Sequence, residues 1–274
     1  MKAAVFEYVR AKDVADAVKQ LAAMPGDAKP IAGGQSLGPM LNLRLARPKL
    51  LVDVSKVEAL RAIADEGDAW RIGACVTHSQ LEDRPLAGCA ALAQVARVIA
   101  YRAVRNRGTI GGSLAHADPA ADWPVVLAAL DAVVRITGPA GSRDVKADQL
   151  MKSAFATALA DDEIIESIRV PKLSKSAAWG YYKFCRKTGE FAQASCAAVF
   201  DPVHGTARIV LGALDGAPAP LPQLAGALAR QGAAALAGDA VRDAVCQAAG
   251  TEDPVRLQLM VAAVQRCLKQ VMEG

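Results

Sequence analysis

Apolar positions along the first third of the chain follow two rhythms. Val14, Ala17, Val18, Leu21 and Ala22 lie on one stripe of a helix. Asp13 stands ready to cap its first turn, and Pro25-Gly26 stops it. Short apolar runs predict strands over residues 3–8, 50–54 and 70–76, and residues 29–32 run extended into a glycine pair. Residues 86–104 are alanine-rich and read as one long helix. It ends at Arg102, Arg105 and Arg107, where cations suit the negative end of a helix dipole. A break at 109–113 follows, then an apolar helix over 123–130 with Asp122 as its cap, and strands over 133–136 and 164–170.

Beyond Pro171 the texture changes. Residues 179–184, 195–200 and 207–212 read as three strands at hairpin spacing, and Pro218, Pro220 and Pro222 mark a loop. Helices are predicted over 223–230, 240–248 and 254–272. Strands followed by helices indicate an α+β unit. We therefore place a boundary near residues 171–178 and expect a first domain over 1–174. A second domain over 175–274 would hold three antiparallel strands and a helical bundle. The length of 274 residues agrees with two domains at a rough 150 residues each.

Composition narrows the function. A charge of +4 is too small for a nucleic-acid protein, and 12 aromatics are too few for a base-stacking platform. The longest apolar runs span six residues (125–130 and 259–264), against about twenty for a membrane helix. Glu7, Arg10, Lys12 and Asp13 leave no apolar signal core near the start. The six cysteines are dispersed without a C-x-x-C pair, which gives zinc and iron–sulfur clusters no support. The chain reads as a reduced, cytoplasmic protein.

Four stretches carry candidate chemistry. In Ala32-Gly33-Gly34-Gln35-Ser36, two bare glycines after a strand let main-chain amides approach an anion. A tight turn that needs glycine explains the same residues. Thr109-Ile110-Gly111-Gly112-Ser113 repeats the ingredients, so two such loops can grip the two phosphates of a dinucleotide. His116, Asp118 and Asp122 resemble a metal triad only loosely, because the spacing crosses Pro119 and matches no metal motif. Asp122 reads either as a helix cap or as an acceptor for a ribose hydroxyl, and His116 as ordering its loop. In residues 183–193 a basic cluster and a turn at Gly189 precede the aromatic Phe191. They make a solvated edge or a cover for a flat heterocycle. No nucleophile elbow or paired-carboxylate motif is present.

Taken in order, these stretches resemble the FAD-binding medium subunit of the molybdenum hydroxylases, the family of bacterial carbon monoxide dehydrogenase and of the flavin domain of xanthine dehydrogenase. Residues 104–113, 116–122, 164–171, 186–192 and 211–214 extend the likeness over nearly the whole chain. The resemblance implies a two-lobed FAD domain of the vanillyl-alcohol-oxidase type, with α/β lobes of roughly 1–57 and 58–174, and a small α+β domain behind it. It implies pyrophosphate and ribityl contacts at Ala32, Gly33, Gly34, Gln35 and Ser36, flanked by Lys29, Ile31 and Leu37. The same contacts are implied at Thr109, Ile110, Gly111, Gly112 and Ser113, with His116, Asp118 and Asp122 toward the ribose. Ile99 and Ile165 are implied as apolar neighbours of the cofactor, with Phe191 against the isoalloxazine and Gln193 nearby.

The implied role is electron transfer. A large subunit would hold the molybdopterin cofactor, a small one two 2Fe-2S clusters, and this chain only FAD, in a dimer of heterotrimers. No catalytic acid or base and no metal ligand is assigned here. A free-standing FAD-dependent oxidase or reductase of the same fold is one rival, and a non-enzymatic nucleotide-binding scaffold is another.

Overall fold

Asp13 does cap the first helix: its carboxylate accepts the N–H of Asp16 at 2.8 Å. The structure, a computed structural model, describes residues 2–273. It begins β1 (Glu7–Arg10), α1 (Val14–Ala22), β2 (Ala28–Ile31), α2 (Leu37–Asn42), β3 (Leu50–Asp53). The strands form a parallel sheet in the order β1-β3-β2. Central β3 is buried at all four positions, which is why it reads as an unbroken apolar run. Helix α1 lays Ala17, Val18 and Leu21 on this sheet.

Next come β4 (Ile63–Asp65), β5 (Ala69–Gly73), α3 (His78–Asp83), α4 (Ala90–Val98), α5 (Arg102–Arg105), α6 (Ile110–His116) and α7 (Asp122–Ala129). They are followed by β6 (Val133–Gly138), β7 (Gly141–Lys146), α8 (Ala147–Leu150), β8 (Met151–Ser153), β9 (Ala156–Thr157) and β10 (Ile164–Pro171). Five of these strands make an antiparallel sheet, β4-β5-β10-β6-β7. Edge strand β7 is polar and almost wholly exposed, so it carries no apolar signal and escapes a reading by pattern.

The last part holds β11 (Ala178–Phe184), β12 (Ala194–Asp201), β13 (Thr206–Gly212), β14 (Ala219–Pro220), α9 (Pro222–Gln231), α10 (Ala240–Ala248) and α11 (Pro254–Glu273). Its sheet is antiparallel and has four strands, one more than predicted. Ala219 and Pro220, expected in a loop, pair with β13 at the sheet edge, where a proline is tolerated. Strand β12 is buried on both faces. Ala194, Cys196 and Ala198 meet α9, α10 and α11, while Ala197 and Val199 join the core around α7. Every residue of α7 is buried for that reason, with sheets on either side.

Two other expectations need correction. The first strand starts at Glu7, not at residue 3. The long helix over 86–104 is two helices, because Ala100 turns left-handed (φ +41°). The buried Arg105 guanidinium takes the carbonyls of Ile99 and Ala100 at 2.9 and 3.2 Å. It also pairs with Glu82 at 2.8 Å. It is a staple for the break rather than a dipole counter-charge.

His78 joins the core to the segment before α6. Its backbone N–H donates to the Gly108 carbonyl (2.9 Å), and Trp123 Nε1 donates to its Nδ1 (3.1 Å). Burial pushes the imidazole pKa down to about 4, with the charge of Arg105 adding to the effect, so the ring is neutral with its proton on Nε2.

Two tests follow from this packing. An unfolded chain takes up the His78 proton near pH 6.5, well above the folded value. The stabilisation is thus complete above pH 6.5 and is lost as pH falls from 6.5 toward 4, by about 3 kcal/mol. His78→Gln should flatten that part of the stability–pH curve, measured by urea titration at each pH. A Cβ at Gly180 would strike the Cys267 carbonyl on α11. Gly180→Ala should therefore cost about 1–3 kcal/mol, read as a lower urea midpoint at unchanged slope.

Candidate flavin site

The chain from β2 into α2 is the first half of the site. Among the described residues, no protein acceptor takes the N–H of Gly33, Gly34, Gln35 or Ser36. Gly34 is left-handed (φ +69°), a conformation that favours glycine. Gln35 folds its amide back on the Gly33 carbonyl at 3.2 Å. Ser36 leads into α2 without a side-chain capping bond, leaving its hydroxyl available. Four adjacent free amides in a partly exposed bend form a nest for an anion.

The second glycine pair behaves differently. Residues 109–113, expected as a loop, are the start of α6, with Thr109 as its cap. The amides there are already used within the protein. Ile110 donates to Val76 O (3.1 Å), Gly111 to Ala74 O (2.9 Å), Gly112 to Thr109 Oγ1 (3.1 Å) and Ser113 to Thr109 O (3.0 Å). A Cβ at Gly111 would run into the Ala74 backbone, at 2.8 Å from its Cα, so this glycine serves helix-to-strand packing rather than ligand approach. What this segment can still offer a phosphate is its hydroxyls.

The two halves touch. A Cβ on Gly33 would strike the Arg107 carbonyl, and Arg107 Nε donates to Gly33 O at 3.4 Å. Ala32, Gly33, Arg107 and Thr109 all line a cleft of about 620 Å³ at the carboxyl ends of the parallel strands. Lys56 and Arg61, unnoticed in the sequence, line it as well. So does Asp53, which accepts hydrogen bonds from Tyr8 and Arg10. Burial pushes the Asp53 carboxyl up, but hydrogen bonds from Tyr8, Ser55 and Arg10 outweigh it and hold the pKa below the ordinary value.

The acidic stretch does not converge on a point. The His116 ring lies 5.2 Å from that of Phe155. Asp118 accepts the Ala120 N–H at 2.9 Å, closing a turn. Asp122 is the first residue of α7 rather than its cap, and makes no capping bond. Its Oδ1 instead takes Tyr181 Oη at 2.6 Å and Lys183 Nζ at 2.9 Å. Among the described residues, no three His, Cys, Asp or Glu side chains gather as a metal site would require.

A third region lies at the α4–α5 break. The turn at Gly189 (φ +91°) packs on Tyr101, whose ring carbons lie 2.8 Å from the position of a Cβ. The β11–β12 connection thus rests on Ala100 and Tyr101, with Tyr101 61% and Phe191 67% exposed. Gln193 is exposed too, and its N–H donates to Phe184 O at 2.8 Å. Of the remaining candidates, Leu37 opens α2 and Ile31 lies against Gly34. Lys29 is 4.0 Å from Asp161, and Ile165 is buried in the sheet opposite Ile136. Tyr101 is a neighbour of these segments that sequence reasoning did not single out, and Arg107, read there only as a dipole counter-charge, reaches the Gly33 carbonyl.

The donor set fits FAD: a nest of free amides for phosphate, hydroxyls beside it, and exposed aromatics with apolar neighbours for a flat ring system. Comparison with known proteins agrees. Residues 4–173 match the family described as the FAD binding domain in molybdopterin dehydrogenase. The chain is 42% identical over 196 residues to the carbon monoxide dehydrogenase medium chain of Hydrogenophaga pseudoflava, covering 71% of this chain and 68% of that one. It is 37% identical over 219 residues to the nicotine 6-hydroxylase medium subunit of Paenarthrobacter nicotinovorans, covering 79% and 76%. Among solved structures, carbon monoxide dehydrogenase from Hydrogenophaga pseudoflava superposes with a TM-score of 0.92 at 33% identity, over 100% of this chain and 99% of that one. Quinoline 2-oxidoreductase from Pseudomonas putida 86 does so at 0.90 and 33%, with the same coverage. The chain belongs to the FAD-binding medium subunits of the molybdenum hydroxylases, a family of oxidoreductases.

Proposed function

We propose that this chain carries electrons, through bound FAD, from the iron–sulfur clusters of a partner subunit to an external acceptor. The observation that supports this best is the run of four free amides at residues 33–36, packed against the segment that leads into α6. Those amides hold one phosphate of the cofactor, and the hydroxyls of Ser36, Thr109 and Ser113 serve the oxygens beside it. Lys29, Ile31 and Leu37 flank that bend, with His116 and Asp118 toward the ribose, Asp122 behind them and Ile165 as a further apolar neighbour of the cofactor. Ile99, Tyr101 and Phe191 confine the ring, and Gln193 offers it an amide. Bound FAD supplies the redox chemistry, while the chain supplies phosphate grip, ring orientation and exclusion of water. Residues 1–174 form the cofactor domain, with lobes over 1–57 and 58–174, and 175–274 the cover.

The partners of this reading are a large subunit with the molybdopterin cofactor and a small one with two 2Fe-2S clusters, assembled as a dimer of heterotrimers in the cytoplasm. Medium-chain relatives are named for carbon monoxide, nicotine and glyceraldehyde. Substrate choice therefore rests with the large subunit. Among the described residues no helix is long and apolar enough to cross a membrane.

The purified full chain should bind one FAD and show oxidised-flavin absorption. Gly33→Ala should weaken FAD at least about tenfold, about 1.4 kcal/mol, because its Cβ would pry the amide nest from the Arg107 carbonyl. Gly216→Ala, where a Cβ meets nothing within 4 Å, should bind normally. A folded wild-type chain that takes up no added FAD would overturn the reading. Affinity purification from the native host should bring down molybdenum and iron with the chain, and a flavoprotein isolated alone, active on its own substrate, would favour a free-standing oxidase.

A further inference from the structure

Tyr181 and Lys183 alternate along β11, so their side chains share one face of the strand. Both end on Asp122 Oδ1, at 2.6 and 2.9 Å, with the Lys183 and Asp122 side chains each only 8% exposed. Asp122 opens α7, directly after the α6 segment that belongs to the cofactor domain. On its other flank, β11 is tied to α11: the Tyr181 N–H donates to Gln270 Oε1 at 2.9 Å, and Arg266 binds the Tyr182 hydroxyl. The strand is therefore pinned from two sides immediately before its chain turns at Gly189 onto Tyr101.

Removing two charges from water is unfavourable, and apolar side chains would fill the same space at lower cost. A buried pair of this kind is worth having where it selects one geometry among several. Lys183 stands only six residues before Gly189, so a shift of β11 on α7 would move the Gly189 turn and Phe191 relative to Ile99 and Tyr101.

We infer that the Asp122–Lys183–Tyr181 cluster is a positioning device that sets the β11–β12 hairpin over the flavin ring. This rests on the flavin reading given above. The three residues act through the hairpin, and their substitution should change the environment of the bound flavin beyond any change in stability.

The test uses the full-length, FAD-loaded chain. Tyr181→Phe keeps the ring and removes one hydroxyl. Asp122→Asn with Lys183→Met removes both charges, so that neither is left buried alone. Each variant is compared with wild type by visible circular dichroism of the flavin, flavin midpoint potential, FAD Kd and Tm. The expected result is folded protein with altered dichroism, a shifted potential and FAD held about tenfold more weakly. If the double variant does not fold, Tyr181→Phe carries the same expectation. Variants that fold with wild-type dichroism, potential and Kd, whatever their Tm, would overturn the inference and leave only a stabilising contact. A wild-type chain without flavin would instead sink the functional reading itself.

Discussion

The bend after β2 and the segment before α6 meet with Gly33 against the Arg107 carbonyl and no room for even a methyl group between them. The open bend at residues 33–36 depends on that seam. It holds the Gly33–Ser36 amides open while the chain from Arg107 to Thr109 turns away into α6. A second seam of the same kind, Gly111 on the Ala74 backbone, anchors α6 to the end of β5. Because these contacts are backbone to backbone, they leave no side-chain rotamers to adjust, and the geometry of the nest is correspondingly stiff.

A helix that is apolar after its first residue carries the rest of the molecule. α7 is buried on every side because it sits between the cofactor domain and the face of β12 and β13. Strand β12 answers it with alternate residues, giving Ala197 and Val199 to α7 and Ala194, Cys196 and Ala198 to the helices behind. Small side chains on that strand let helix and sheet approach closely. The hydrophobic gain of this interface fixes the last hundred residues to the first part of the chain, and the Asp122–Lys183 pair adds direction to it.

Charge is distributed unevenly about the site. Where cations and carboxylates are buried they are matched, Arg105 with Glu82 and Lys183 with Asp122. His78 avoids the cost of burial by staying neutral. At the cleft, by contrast, Lys56, Arg61 and Arg107 are exposed beside a single buried carboxylate, Asp53. The surface next to the amide nest is thus positive, which favours a phosphate-bearing cofactor before any specific contact is made.

Much of this was readable from residue order. The α1 stripe capped by Asp13, the buried run of β3, and the three long strands of the last sheet stand where local pattern puts them. So does the family, because glycine pairs, the acidic stretch and residues 186–192 are local signals in a fixed order. The break at Ala100, the helical state of Gly111 and Gly112, and the polar strand β7 were not readable, since each is decided by a hydrogen-bonding partner rather than by its own apolar pattern. Arg105 claims two carbonyls, Ala74 receives the Gly111 amide, and β6 supplies the ladder for β7. Asp122 shows the division best. Its place before an apolar helix suggests a cap, yet a strand nearly sixty residues later draws it inward. Local sequence determines which conformations a segment prefers, whereas the pairing of buried charges and the meeting of bare backbones exist only once the chain has closed on itself.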